Sequence, residues 1–303
     1  MIRTKSAAAA LSVASNALLI AVKLVAGVLT GSIAILTEAV HSLVDLVASI
    51  VAFVSVRKAE EPADAEHPYG HQKVESLAAT IEGLLILVGA GIIVYEAIRR
   101  LAVGATVELV GVGIAVMAVS AVSNFAVSAV LARQARRHDS PALEGDAAHL
   151  RTDAMTSAGV LLGLCVVKVT GDSAYDSITA LIVSGAIVAA GLRIVRRSSG
   201  VLVDEALPSE EMDRIEAAIA AARTGEVAGY HKLRARRAGN RRYIDLHVQY
   251  QAGTTLERAH DLAHTMRDSI EAAIPNAEVL IHVEPESSLR DPARARGGPF
   301  RAG

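Results

Sequence analysis

A chain of 303 residues has room for about two domains. It is 52% hydrophobic with 3% aromatics, no Trp and a mean hydropathy of +0.39, which excludes a protein that is water-soluble throughout. The net charge of −2 leaves no basic footprint for nucleic acid, and the single cysteine, Cys165, excludes a disulfide framework or thiolate metal cluster within one chain. Charge is unevenly spread. Residues 1–200 hold 16 Lys/Arg and 16 Asp/Glu, whereas the last 103 residues hold 14 and 16. An oily first two-thirds is therefore joined to a water-compatible last third.

The first 31 residues are basic, then apolar, with many small side chains, as in a secretory signal. The apolar run is too long for a signal core, however, and further apolar segments follow at once, so it reads as a first membrane span. Six stretches reach the ~20 residues that a bilayer requires: approximately 7–29, 32–56, 76–98, 109–132, 147–169 and 174–195. The gaps alternate between short, weakly charged ones (Thr30-Gly31, 101–107 and 170–172) and longer polar ones (57–75 and 133–146). Arg3, Lys5, Arg57, Lys58, Lys73, Arg133, Arg136, Arg137, Arg193, Arg196 and Arg197 all fall on the side shared by the N-terminus and the longer gaps. Only Arg99, Arg100 and Lys168 oppose them. Basic residues collect on the cytoplasmic side, so residues 1–203 read as an all-α six-span bundle with both termini in the cytoplasm.

After Arg197 the texture changes. Pro208-Ser209-Glu210-Glu211 opens an amphipathic helix to about Ala222, and alternating runs at Tyr230–Arg236 and Tyr243–Tyr250 flank a turn at Ala238-Gly239-Asn240. A second helix spans Thr254–Ala273, stopped by Pro275-Asn276, and Ala277–Val283 reads as a third strand. The order αββαβ over 204–290 describes a small α+β domain. The Arg/Gly/Pro-rich tail, 291–303, has the composition of a disordered segment.

Ionisable groups are costly inside a membrane and mark sites or pathways. In the second span His41 and Asp45 are four apart and share a helix face; in the fifth, His149 and Asp153 repeat that spacing. An internal hydrogen bond would explain one such pair as well as a site does. Two copies on two spans instead describe a tetrahedral set of two imidazole nitrogens and two carboxylate oxygens, suited to Zn²⁺. Lys23, Glu38, Glu82 and Glu96 have no such matched pattern and read as end-of-span, snorkelling or interhelical groups. In the 57–75 loop, Asp64, His67 and His71 surround a Pro68–Gly70 turn, a weak signal taken alone. In the last third, His231, His247, His260, His282 and Glu284 are spread over three strands and a helix, a pattern compatible with a binuclear metal site. His264, one turn after His260, reads as a bystander.

Together, GSIAILTEAVHSLVDLVAS, ADAEHPYGHQKVESLAA and EGDAAHLRTDAMTSAGVLLG resemble the cation diffusion facilitator family of metal-ion/proton antiporters, over about Ser6 to Glu286. The resemblance implies a homodimer in a cell inner or plasma membrane, with a metallochaperone-like αββαβ cytoplasmic domain. It implies a transport site at His41, Asp45, His149 and Asp153, with His in place of the Asp that many bacterial members have at position 41. That His is similar to the zinc-selective branch. The resemblance further implies a loop metal at Asp64, His67 and His71, and metal at His231, His247, His260, His282 and Glu284. Glu284 stands where close relatives commonly have Asp. Lys73 and Asp204 are similar to a charge pair between the membrane and cytoplasmic domains, although two solvated charges explain them equally well.

The function expected is export of a divalent metal, Zn²⁺ first, in exchange for protons across the bilayer. A membrane zinc sensor or store that moves no ion is an alternative, as is the same transporter with Cd²⁺, Co²⁺ or Fe²⁺ as its cargo. An enzyme is not expected: no HExxH occurs, and four protein ligands leave no position for a catalytic water.

Overall fold

A computed structural model describes residues 4–30, 33–103, 111–170 and 174–287. The chain divides into two compact units, residues 1–200 and 201–303. The first is all helix: α1 (Lys5–Thr30), α2 (Ile33–Ala59), α3 (Lys73–Val103), α4 (Gly111–His138), α5 (Pro141–Thr170) and α6 (Ala174–Leu202). Each helix overruns the apolar stretch that announces it. The overrun is greatest at the gap 133–146, which shrinks to Asp139-Ser140. Arg133, Arg136 and Arg137 are good helix formers, so α4 continues through them until Asp139 turns left-handed at φ 53°. Ser140 then accepts from the Leu143 amide at 3.4 Å with Pro141 as the first helical residue, which starts α5 at once.

Among the described residues, α1, α3 and α6 hold a stretch long and apolar enough to cross a membrane by length and composition. Helices α2, α4 and α5 are of similar length, and α5 has Glu144, Asp146, Arg151 and Asp153 in its first half. The packing of this unit is inverted relative to a water-soluble domain. Leu18, Val25, Val28, Val88, Ile92, Val122 and Ile182 face outward, while Ser12, Asn16, Ser49, Glu82, Asp146 and His149 are buried. Small residues at the helix contacts, among them Ala8, Ala9, Ala78, Ala135, Ala142 and Ala147, let the backbones approach closely. Helix α5 lies at the centre and packs against α1, α2, α3 and α4.

The second unit runs α7 (Ser209–Ala222), β1 (Val227–Ala238), β2 (Arg241–Tyr250), α8 (Leu256–Ala273) and β3 (Ala277–Pro285). Glu210 and Glu211 in the first turn of α7 complement the helix dipole, and the Thr255 hydroxyl caps α8 by accepting from the Arg258 amide at 3.2 Å. Strands β1 and β2 pair antiparallel across the Gly239-Asn240 turn; β3 returns through α8 to pair parallel with β2. Alternation sorts the two sheet faces. Ile244, Leu246 and Val248 meet Ile215 and Ile219 of α7 and Leu262, Met266 and Ile270 of α8, so both helices cover one face. Strand β1 begins at Val227 rather than Tyr230. Val227 is buried opposite Tyr250, and a register shift before Gly229 absorbs the irregular alternation that hides this start in the sequence.

Candidate metal centres

Among the described residues, three groups of His and carboxylate side chains each bring ligand atoms within 4.8 Å of one another. The first lies inside the helical unit and joins Asp45 of α2 to His149 and Asp153 of α5. The i, i+4 spacing on α5 stacks Asp153 one turn beyond His149, and the α2–α5 contact carries Asp45 across. His149 Nε2 lies 3.3 Å from Asp45 Oδ1 and 3.9 Å from Asp153 Oδ2, while His149 Nδ1 is buried without a hydrogen-bond partner. Such orphaned buried nitrogens are rare and call for an explanation such as an ion or a functional role. His41 is on α2, one turn before Asp45; its side chain lies outside the described residues.

The second group is the loop between α2 and α3. Asp64 Oδ1 accepts from the backbone amides of His67 at 2.6 Å and Glu66 at 3.0 Å, and Gly70, at φ 84°, folds the chain back on itself. The His67 amide bond is the main cause that holds the Asp64 carboxyl below the usual carboxylate range. The turn places the His67 and His71 rings 4.5 Å apart. His71 is 3% exposed, and its Nε2 is 3.3 Å from Asp64 Oδ2 without hydrogen-bond geometry.

The third group lies on the sheet face that the helices leave open. The register pairs His231 with His247 and His247 with His282, so the three imidazoles form a row across β1, β2 and β3. Glu284, two residues on from His282, points to the same face. Its Oε1 is 2.6 Å from His247 Nδ1 and 3.7 Å from His282 Nε2, and its Oε2 is 3.4 Å from His231 Nε2. A bulge after His231, with Lys232 at φ 51°, re-aims β1 at this point. Burial, above all, holds the His231 imidazole below the ordinary histidine value. His260 does not join this cluster. It sits on the exposed side of α8, on the far side of the sheet, with its ring 4.2 Å from that of His264.

Lys73 opens α3, and Asp204, in the second unit, accepts from Arg236 Nη1 at 3.0 Å.

Residues 9–203 match the cation efflux transmembrane domain, and residues 207–286 match the cation efflux protein cytoplasmic domain. The chain belongs to the cation diffusion facilitator family. It is thus a cation efflux transporter, with a helical transmembrane domain and a cytoplasmic domain built on a small sheet, in a family of transporters rather than enzymes. Facilitators similar to it include an uncharacterized transporter of Synechocystis, 34% identical over 284 residues, covering 94% of this chain and 90% of that one. A cation-efflux pump FieF of Serratia proteamaculans is 33% identical over 292 residues, 96% of each chain. Among solved structures, the metal-bound C-terminal domain of the CzcD transporter from Thermotoga maritima covers 25% of this facilitator and 87% of its own length, at 27% identity and a TM-score of 0.24.

One polar residue of this facilitator's membrane domain has no pattern to mark it: Asp146, wholly buried three residues before His149. Glu82 of α3 is an interhelical group, as its sequence suggests, wholly buried against Gly145 of α5. The other intramembrane groups behave as a sequence reader expects: Glu96 pairs with Arg99 and Arg100, and Lys23 donates to Ser42 at 2.7 Å. The Glu38 side chain lies outside the described residues.

Proposed function

We propose that this chain is a homodimeric Zn²⁺/H⁺ antiporter of the cell inner or plasma membrane, exporting zinc from the cytoplasm through six spans with both termini inside. The observation that carries this reading is the meeting of Asp45, His149 and Asp153 from two helices inside the membrane domain. His41, one turn from Asp45, supplies the fourth ligand. Two nitrogens and two carboxylate oxygens make a four-coordinate donor set suited to Zn²⁺. The placement of Lys and Arg along the chain supports the orientation, and the matched cytoplasmic domain supports the dimer.

Coupling to protons follows from the ligands. Both imidazoles must be neutral and both carboxylates ionised to hold the ion, so loading releases protons and protonation expels the metal. Histidine is the side chain whose charge changes most readily near neutral pH, which suits a site that exchanges metal for protons. The ion loads in an inward-open arrangement, and rocking of the helices then exposes the same residues outward. In the cytoplasmic domain, His231, His247, His282 and Glu284 bind zinc as a sensor, favouring the dimer arrangement that binds it more tightly. Asp64, His67 and His71 hold a structural or regulatory ion off the transport path.

The test is ⁶⁵Zn²⁺ uptake into vesicles with an imposed pH gradient. Wild type accumulates the ion, and Asp153→Ala does not. Equal uptake by the two proteins, or uptake indifferent to the gradient, would rule this reading out.

A further inference from the structure

Helix α3 buries an ionisable group, Glu82, that none of the three metal centres uses. Glu82 is 0% exposed, and neither of its carboxylate oxygens has a hydrogen-bond partner. It reaches α5 at Gly145, where the missing side chain is what admits it. A Cβ there would collide with Glu82 Oε2 and lie 3.2 Å from Ala79 Cα. The next residue on α5 is Asp146, also 0% exposed, so two buried carboxyl groups come from adjoining positions of the α3–α5 contact. Asp146 Oδ1 accepts from Ser12 of α1 and Ser49 of α2, each at 3.1 Å, and Asn16 donates to Ser49 at 2.8 Å. Asp146 Oδ2 has no hydrogen-bond partner. Three carboxylate oxygens are thus buried and unsatisfied within one small region of the membrane domain.

Lys5 is bound to Glu75 at 2.6 Å and Arg197 to Glu144 at 2.6 Å, and His149, the base next along α5, already faces Asp45 and Asp153. Burying two ionised carboxylates without a counter-charge costs several kcal/mol apiece, so each either holds a proton or shares a cation. The region is one turn of α5, roughly 4.5 Å of rise, before His149.

We propose that Glu82 and Asp146 form a second divalent-cation site in the membrane domain, a stop for the transported ion on its way to or from the Asp45/His149/Asp153 centre. Two carboxylates balance a double positive charge. Asp146 Oδ2 and both Glu82 oxygens supply the direct ligands, and the Ser12 and Ser49 hydroxyls orient Asp146 from behind. When the ion leaves, protons take its place. The donor set is all oxygen, which grips Zn²⁺ less firmly than a mixed imidazole–carboxylate set, and a transit site must also let its ion go. The ion's identity as cargo rests on the antiport reading above; the existence of the site does not.

Equilibrium dialysis of the full-length protein against ⁶⁵Zn²⁺ separates the two questions. Glu82→Gln and Asp146→Asn each lose one bound ion per chain relative to wild type, Glu82→Asp keeps it, and Asp153→Ala loses a different one. Combining Glu82→Gln with Asp153→Ala therefore loses two. Asn at 146 retains a carbonyl for Ser12 and Ser49, so this variant keeps the packing if Gln at 82 does not. Unchanged stoichiometry in Asp146→Asn, or a combined variant no worse than Asp153→Ala, overturns the proposal. Absence of gradient-driven uptake by wild type overturns the antiport reading and leaves the ion count standing. In vesicles, a transit role appears as a KM raised about tenfold with kcat within twofold; loss of kcat at unchanged KM shows a packing role instead and overturns the transit stop.

Discussion

Replacing Glu284 tests how the cytoplasmic cluster holds an ion. Its carboxylate meets three imidazoles, at 2.6 Å from His247, 3.4 Å from His231 and 3.7 Å from His282, and no other carboxylate belongs to that group of ligands. Glu284→Gln keeps the volume and removes the charge. A hydrogen bond to a charged group contributes about 1.5–3 kcal/mol, and each ~1.4 kcal/mol is tenfold in an equilibrium constant. Zinc affinity of the cluster should therefore fall about 10- to 100-fold. Glu284→Asp withdraws the carboxylate by one bond, about 1.5 Å, which lengthens the 2.6 Å contact with His247 and breaks the reach to His231. Its affinity should lie between wild type and Gln. The assay is competition with a chromophoric zinc chelator on the full-length protein carrying Asp153→Ala, so that the membrane centre does not contribute. Affinities of both variants within twofold of the parent, or Asp weaker than Gln, would refute the ligand role.

Acidification should strip the same cluster. Burial holds His231 below the ordinary histidine value, so its ring is neutral at pH 7, and zinc affinity should drop as pH falls below about 6.5. Because the folded value is depressed, the stability His231 contributes to the metal-free domain is present above about pH 6.5 and lost as pH falls through the folded value. His231→Gln should flatten that part of the melting-temperature profile. In the loop, zinc should slow hydrogen exchange over residues 60–72 in wild type and leave it unchanged in His71→Ala. Met266, 0% exposed between α8 and the sheet, should cost about 2–5 kcal/mol when cut to Ala. Denaturant unfolding followed by exchange in residues 201–287 would read that loss.

Much of the fold was legible because it is written in local pattern. Apolar runs of bilayer length, the Pro208 and Pro275 boundaries and the alternation of β2 each act over a few residues, and the helices and strands lie where those signals put them. The ends were less legible. Arg133 to His138 look like loop by polarity, yet a helix accepts them as readily as water does. Repeated spacing singled out Asp45, His149 and Asp153, since the pairs His41/Asp45 and His149/Asp153 share a four-residue period that a helix turns into one face. No period marks Glu82 against Asp146, or His260 against the sheet.

By itself, then, the amino-acid order determined the oily two-thirds and the charged last third, the helix and strand order, and the candidate ligands, because each depends on neighbours within about one turn. Only the tertiary structure decided which ligands meet. It set His231, His247, His282 and Glu284 on one sheet face and His260 behind the other, since strand alternation and the packing of α8 choose faces only once the sheet is assembled. It also buried Glu82 beside Asp146, because the approach of α3 to α5 at Gly145 joins residues more than 60 positions apart. A one-dimensional period carries no information about such a contact.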